Sequence, residues 1–139
     1  MTTIAYRDGV LAGDSRVTNG DLICPETVTK VIKLPNGSLL GCAGTLREVF
    51  ELRNAIVEKH PLPDLKKVTA LLITPDEQLW SYDRTTWNEM DAPYYAIGTG
   101  EQFALAALWM GADAVQAVKC GIHFDKNSGG RVRTVRLIG

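Results

Sequence analysis

Lys30-Val31-Ile32-Lys33-Leu34, then Pro35-Asn36-Gly37-Ser38, then Leu39-Leu40-Gly41-Cys42-Ala43 is a pair of extended runs about a turn, and Gly44-Thr45 marks the point where the pattern changes. The two flanking runs are apolar and the turn is built from Pro, Asn and Gly, which is how a β-hairpin reads. Beyond Thr45 the apolar residues fall at Leu46, Val49, Phe50, Leu52, Ala55 and Ile56, a helical spacing. Thr45 with Glu48 predicts a capping box at the helix start, and His60-Pro61-Leu62-Pro63 predicts its end. A hairpin leading directly into a helix, without a parallel crossover, points to antiparallel sheet with segregated helices.

The rest of the chain extends that reading in both directions. Upstream, Thr3 to Tyr6 and Val10 to Asp14 form a hairpin across Asp8-Gly9, and Thr18-Asn19-Gly20-Asp21 is another turn. Downstream, Ala70 to Thr74 and Gln78 to Tyr82 pair across Pro75-Asp76-Glu77, and Tyr94 to Ile97 is a short strand. Helices are expected from about Gly100 to Met110 and from Ala112 to about Phe124, with a closing strand from Arg131 to Leu137. No repeat, linker or low-complexity stretch divides the 139 residues, so residues 1–139 read as one α+β domain. A chain of this size buries about 68% of its unfolded surface, enough for one core.

Composition excludes several classes. The net charge of −1 provides no field for nucleic acid or an anionic membrane, and no apolar run approaches the roughly 20 residues of a membrane span. Arg131, Arg133 and Arg136 look like a basic patch, but two of them alternate on one strand face, which reads as a solvated face. The start Met1-Thr2-Thr3-Ile4-Ala5-Tyr6-Arg7-Asp8 lacks the basic-then-apolar pattern of a signal peptide, so a cytoplasmic location is expected. Cys24, Cys42 and Cys120 are odd in number and widely spaced, and His60 and His123 lie far from any cysteine pair. Free thiols are expected, with no metal site and no cofactor.

Chemistry enters at Thr2. A threonine hydroxyl is a weak nucleophile that needs a base, and an α-amino group, with a pKa near 8, can serve as one. Removal of Met1 would place both groups on Thr2. Singly, the other candidates have plain readings: Asp14 as a turn residue, Lys30 as a strand lysine, Gly44 as the turn into a helix, Asp125 and Ser128 as loop residues.

Together they form a pattern. Thr2-Thr3-Ile4-Ala5, Ala12-Gly13-Asp14, Thr29-Lys30-Val31-Ile32-Lys33-Leu34, Gly41-Cys42-Ala43-Gly44-Thr45, Ala96-Ile97-Gly98-Thr99-Gly100 and Asp125-Lys126-Asn127-Ser128-Gly129-Gly130 occur in that order. In these motifs the chain resembles the proteasome β-subunit and HslV family of N-terminal-threonine peptidases, which are Ntn-hydrolases. The resemblance implies a four-layer αββα sandwich, two antiparallel sheets between helical layers. It also implies hydrolysis of peptide bonds through an acyl-enzyme, without a cofactor. In it Thr2 is nucleophile and, through its amine, base; Lys30 lowers the pKa of the Thr2 hydroxyl; Asp14 orients Lys30. The Gly44 N–H supplies the oxyanion hole, and Asp125 and Ser128 flank the amine. Thr99 stands where the family usually has serine.

Lys33 competes with Lys30 for the place beside Thr2, but residues three apart on a strand face opposite ways, and the family spacing selects Lys30. Cys42 shares a strand face with Gly44 and is expected to line the pocket for the side chain preceding the cleaved bond. After Asp64, Leu65-Lys66-Lys67 leaves no room for the second long helix of full-length relatives, so one outer layer is expected to be thin. The expected partners are copies of itself in a ring, polypeptide substrates and an ATP-dependent unfoldase. Two other functions fit the same motifs: a catalytically silent ring-forming scaffold, and an amidase for small amides.

Overall fold

The computed structural model describes residues 2–19, 22–23, 28–61, 65–83 and 86–138. The state of Met1, the thiol of Cys24, Gly20-Asp21 and the Leu62-Pro63 part of the helix stop lie outside the described residues.

Strands β1 (Ile4–Arg7) and β2 (Val10–Gly13) form the first hairpin. Asp8 and Gly9 both have positive φ, 50° and 79°, as a type I′ turn requires. β3 (Thr18–Asn19) and β4 (Leu22–Ile23) pair as a short ribbon. β5 (Val31–Lys33) and β6 (Leu39–Gly44) are the hairpin about Pro35-Asn36, and α1 (Leu46–Val57) follows. β7 (Val68–Ile73), β8 (Leu79–Asp83) and β9 (Thr86–Met90) form a meander, and β10 (Tyr94–Ile97) crosses to the first hairpin. α2 (Glu101–Trp109), α3 (Ala114–Phe124) and β11 (Arg133–Arg136) complete the chain.

The strands make two main antiparallel sheets, ordered β10-β1-β2-β11 and β5-β6-β7-β8-β9. They pack face to face through Ile4, Leu11, Val31, Leu39, Leu71 and Ile73. Period-two alternation turns Ala5 and Ala12 outward to α2 and α3, where Ala104, Leu108, Ala117 and Val118 meet them. On the far side Leu40, Cys42 and Ala70 face α1 through Val49 and Leu52. The layers are therefore two helices, sheet, sheet, one helix: the expected αββα order with the expected thin outer layer. Among the described residues no helix is long and apolar enough to cross a membrane.

Three local differences from the sequence reading have physical causes. The box expected at Thr45 and Glu48 does not close on the helix backbone. Thr45 makes no side-chain cap, and its Oγ1 donates instead to Glu48 Oε2 at 3.2 Å. The Glu48 carboxylate accepts the Lys66 and Lys67 N–H groups, both at 2.9 Å, so it anchors the returning loop. A full capping box forms at α3, where Asp113 accepts from the Gln116 N–H and Gln116 returns the bond. β9 was not expected. It is an edge strand with largely exposed residues, ordered by Trp87 against Tyr82 at 5.3 Å between ring centroids.

Candidate active site

Thr2 ends at the mouth between the two sheets, held by its own strand. Gly100 N–H donates to Thr2 O at 3.1 Å, and β1 continues beyond it in register with β10 and β2. The next residue is wedged on the helical side. An added Cβ on Gly121 of α3 would lie 2.5 Å from the Thr3 side chain, and one on Gly100 1.9 Å from Thr3 Oγ1. Only hydrogen fits at those two places, so the helices sit against Thr3 itself.

Lys30, the residue before β5, is buried and aims its ammonium at Thr2. Its Nζ donates to Thr2 Oγ1 at 3.2 Å, to Asp14 Oδ1 at 2.9 Å and to the Arg16 carbonyl at 2.6 Å. Burial lowers the Lys30 pKa below the ordinary lysine value, with the Asp14 charge opposing. Lys33, the rival on β5, is exposed and donates to Leu137 O at 3.2 Å.

Asp14 is fully buried. Besides Lys30, it accepts the Thr3 N–H on Oδ1 at 3.0 Å, and on Oδ2 the Gly129 N–H at 2.9 Å and the Arg16 N–H at 3.3 Å. A buried carboxylate with one ammonium and three backbone donors is fully satisfied, the condition under which a buried ion pair is tolerated.

A second chain of bonds runs from the Thr2 nitrogen. Thr2 N donates to Thr99 Oγ1 at 3.2 Å, and Thr99 Oγ1 donates to Asp125 Oδ2 at 2.6 Å. Ser128 Oγ donates to the same Asp125 oxygen at 2.7 Å. With that proton committed, the 2.7 Å contact between Thr3 and Ser128 has the Thr3 hydroxyl as donor. Burial works to raise the Asp125 carboxyl, but bonds from Thr99, Ser128 and the Asn127 N–H outweigh it and hold it below the usual carboxylate value. The described contacts thus take Thr99 to the Thr2 nitrogen, and Ser128 to Asp125 and Thr3.

Gly44 closes β6 beside Thr2 with φ of 143°, and a Cβ there would fall 2.0 Å from Lys67 O, so no other residue fits. Thr2 and Gly44 border two hollows. One, of about 210 Å3, runs under α1 and is walled by Val28, Cys42, Leu46, Val49 and Phe50. The other, of about 330 Å3, lies on the opposite side of Thr2 along Lys66, Lys67, Thr99 and Glu101. Burial pushes the Cys42 thiol up to about 12, so it is a neutral wall rather than a nucleophile.

The sequence reading singled out Thr2, Asp14, Lys30, Cys42, Gly44, Thr99, Asp125 and Ser128, and all eight surround this one place. It missed Thr3, Arg16 and Arg53. Thr3 and the Arg16 carbonyl carry no sequence signal beyond adjacency to Thr2 and Asp14. Arg53 had one: Leu46, Val49, Phe50 and Arg53 follow an i, i+3, i+4, i+7 stripe, and an arginine interrupts what would be an apolar face.

Two antiparallel sheets packed face to face between helical layers define the Ntn-hydrolase fold, and this chain has it. The same architecture is found in the Thiobacillus denitrificans BPH in complex with epoxomicin, at TM-score 0.73 and 20% identity over 99% of each chain. A second structure of that BPH matches at TM-score 0.71 and 20% identity, covering 98% of this chain and 97% of the other. The eukaryotic HslV from Trypanosoma brucei matches at TM-score 0.76 and 21% identity, covering 97% and 98%. At such identities the likeness establishes the fold and its extent over nearly the whole chain. No protein-family model and no curated protein sequence matches the chain.

Proposed function

We propose that the protein is an N-terminal-threonine peptidase that hydrolyses peptide bonds through an acyl-enzyme on Thr2. The observation that carries this reading is the Lys30 ammonium 3.2 Å from Thr2 Oγ1, with the Thr2 nitrogen bonded to Thr99 on the other side. With Met1 removed, that nitrogen is the α-amine. It takes the hydroxyl proton as Oγ1 attacks the peptide carbonyl, and Lys30 favours the developing alkoxide. The Gly44 N–H stabilises the oxyanion. Collapse transfers the proton to the leaving amine and leaves an ester on Thr2. Water, deprotonated by the same amine, then attacks the ester, releases the acid product and returns the proton to Oγ1. Asp125 and Thr99 hold the amine in place, and Asp14 holds Lys30.

The working form in this proposal is a homo-oligomeric ring taking polypeptides, with an ATP-dependent unfoldase to feed it. Support comes from large apolar residues left in water on the α2–α3 side: Trp109 75% exposed, Met110 76% and Phe124 63%. Light scattering tests it, because a stable mass near the 15.2 kDa of one chain would overturn the ring.

The chemistry is tested by intact mass. Protein beginning at Thr2 is expected to gain one epoxomicin, the compound bound by the T. denitrificans BPH, and to cleave fluorogenic peptides. Protein retaining Met1, and Thr2→Ala, are expected to do neither. Equal turnover by Thr2→Ala would end the proposal.

A further inference from the structure

The hollow under α1 is lined by more cations than anions among the described residues. Among its described lining residues are three cations, Arg16, Lys30 and Arg53, and no carboxylate. Lys30 is matched by Asp14 at 2.9 Å. Arg16 lies over Gly129, where an added Cβ would come 2.3 Å from its Cζ, and its Nη1 donates to Lys126 O at 3.3 Å. Arg53 differs: among the described residues no carboxylate pairs with it.

Two contacts hold the Arg53 guanidinium, and its charge reaches a third wall of the hollow. Its Nη1 donates to Thr29 O at 3.3 Å, its Cζ lies 5.9 Å from the centre of the Phe50 ring, and its charge acts on the Cys42 thiol against the effect of burial. Thr29, Phe50 and Cys42 are all walls of the hollow. α1 starts beside Gly44 and Thr2, and Arg53 is seven residues beyond Leu46. At 1.5 Å per residue it stands roughly 10 Å further along the helix. The hollow therefore has an apolar wall of Val28, Cys42, Leu46, Val49 and Phe50, with the nucleophile at one end and the Arg53 guanidinium towards the other.

We propose that Arg53 makes this hollow selective for an acidic residue on the acyl side of the scissile bond, glutamate above aspartate. This rests on the peptidase reading above. The methylenes of a glutamate pack against Val49, Leu46 and Cys42, and its carboxylate meets the guanidinium, where a charge-assisted, two-pronged bond offsets its loss of water. Aspartate is shorter and stops short of that partner. Lysine or arginine would bring a fourth cation among three, a repulsion that acts directly on specificity.

The test uses enzyme whose mass shows Thr2 as first residue and three fluorogenic peptides differing only in the residue before the reporter: Glu, Leu or Lys. Wild type is expected to cleave Glu at least tenfold faster than Lys in kcat/KM, with Leu between. Arg53→Gln is expected to lose the Glu advantage while keeping Leu cleavage, which also shows that it folds. Arg53→Glu is expected to favour Lys. Cleavage in which Leu or Lys equals or exceeds Glu in wild type, or a Glu preference unchanged in Arg53→Gln, overturns the proposal and leaves the peptidase reading standing. No cleavage of any peptide, with no epoxomicin adduct, sinks the peptidase reading and this proposal with it.

Discussion

The two helical faces of this molecule pack differently. On one, α2 and α3 lie on β1 and β2 through Ala5, Ala12, Ala96, Ala104, Ala114 and Ala117, all at most 1% exposed. Small side chains bring the helices down until Gly121 touches Thr3. Arg7 secures the joint by donating to the Leu108 and Ala112 carbonyls at 2.6 and 3.0 Å, which satisfies the end of α2. On the other face, α1 stands on a sheet surface of mixed sizes, Leu40, Val68 and Tyr82 beside Cys42 and Ala70, and the space left beside it is the hollow that opens at Thr2. The close-packed face fixes the position of Thr3 and with it Thr2, and the looser face leaves the hollow beside Thr2 open.

Substitutions can break or sharpen that contrast. The largest effect is expected from Gly121→Val, which drives two methyl groups into Thr3. Expression as aggregate, or loss of more than about 3 kcal/mol in urea unfolding, is the expected result. A variant of wild-type stability would show that the clamp on Thr3 is dispensable. Leu108→Ala, in the same face, removes a fully buried side chain and is expected to lower stability by about 2–5 kcal/mol. Val49→Leu, its counterpart on the loose face, grows into the hollow and is expected to shift stability by less than about 1 kcal/mol, well under the usual overpacking penalty, while slowing peptides with a bulky residue before the cleaved bond. Equal destabilisation by an enlarged residue on both faces would erase the distinction.

A smaller effect concerns pH. Burial lowers the Lys30 pKa from the ordinary 10.5, so the folded protein binds this proton less tightly than the unfolded chain. As pH rises through the lowered value, the charge beside Thr2 is lost and kcat/KM is expected to fall before a free lysine would titrate. The stability contribution has the opposite sign. The penalty of a buried charge is present below the folded pKa and relieved between it and the unfolded value, so this group makes stability rise with pH there. A rate profile flat to pH 10.5 would deny Lys30 its part. The smallest effect is expected from Lys33→Ala, an exposed change within about 0.5 kcal/mol that leaves activity unaltered.

These contrasts also explain what the sequence could disclose. The hairpins were legible because Asp8-Gly9 and Pro35-Asn36-Gly37 impose turn geometry on the spot. The polar cluster was legible because Thr2, Asp14, Lys30, Gly44 and Asp125 keep a familiar order, and strand parity separated Lys30 from Lys33. β9 was not, since an edge strand exposed on most positions has no apolar alternation. Glu48 was misread because its two acceptor oxygens serve residues 66 and 67, a tertiary demand that no local box anticipates. Arg53 broke an apolar stripe, but a stripe does not say which of its members borders empty space.

One last consequence lies in Asp14. Its carboxylate gathers donors from Thr3, Arg16, Lys30 and Gly129, and the last of these is 115 residues away along the chain. During synthesis on a ribosome the first three emerge early, while the fourth, with Asp125 and Ser128, comes only after α3. Until that loop arrives, Asp14 lacks a donor and the Thr2 nitrogen lacks the Thr99–Asp125 support. A nascent chain in this fold therefore has Thr2 in place long before the contacts around it are complete, because they are finished only by the loop that follows α3.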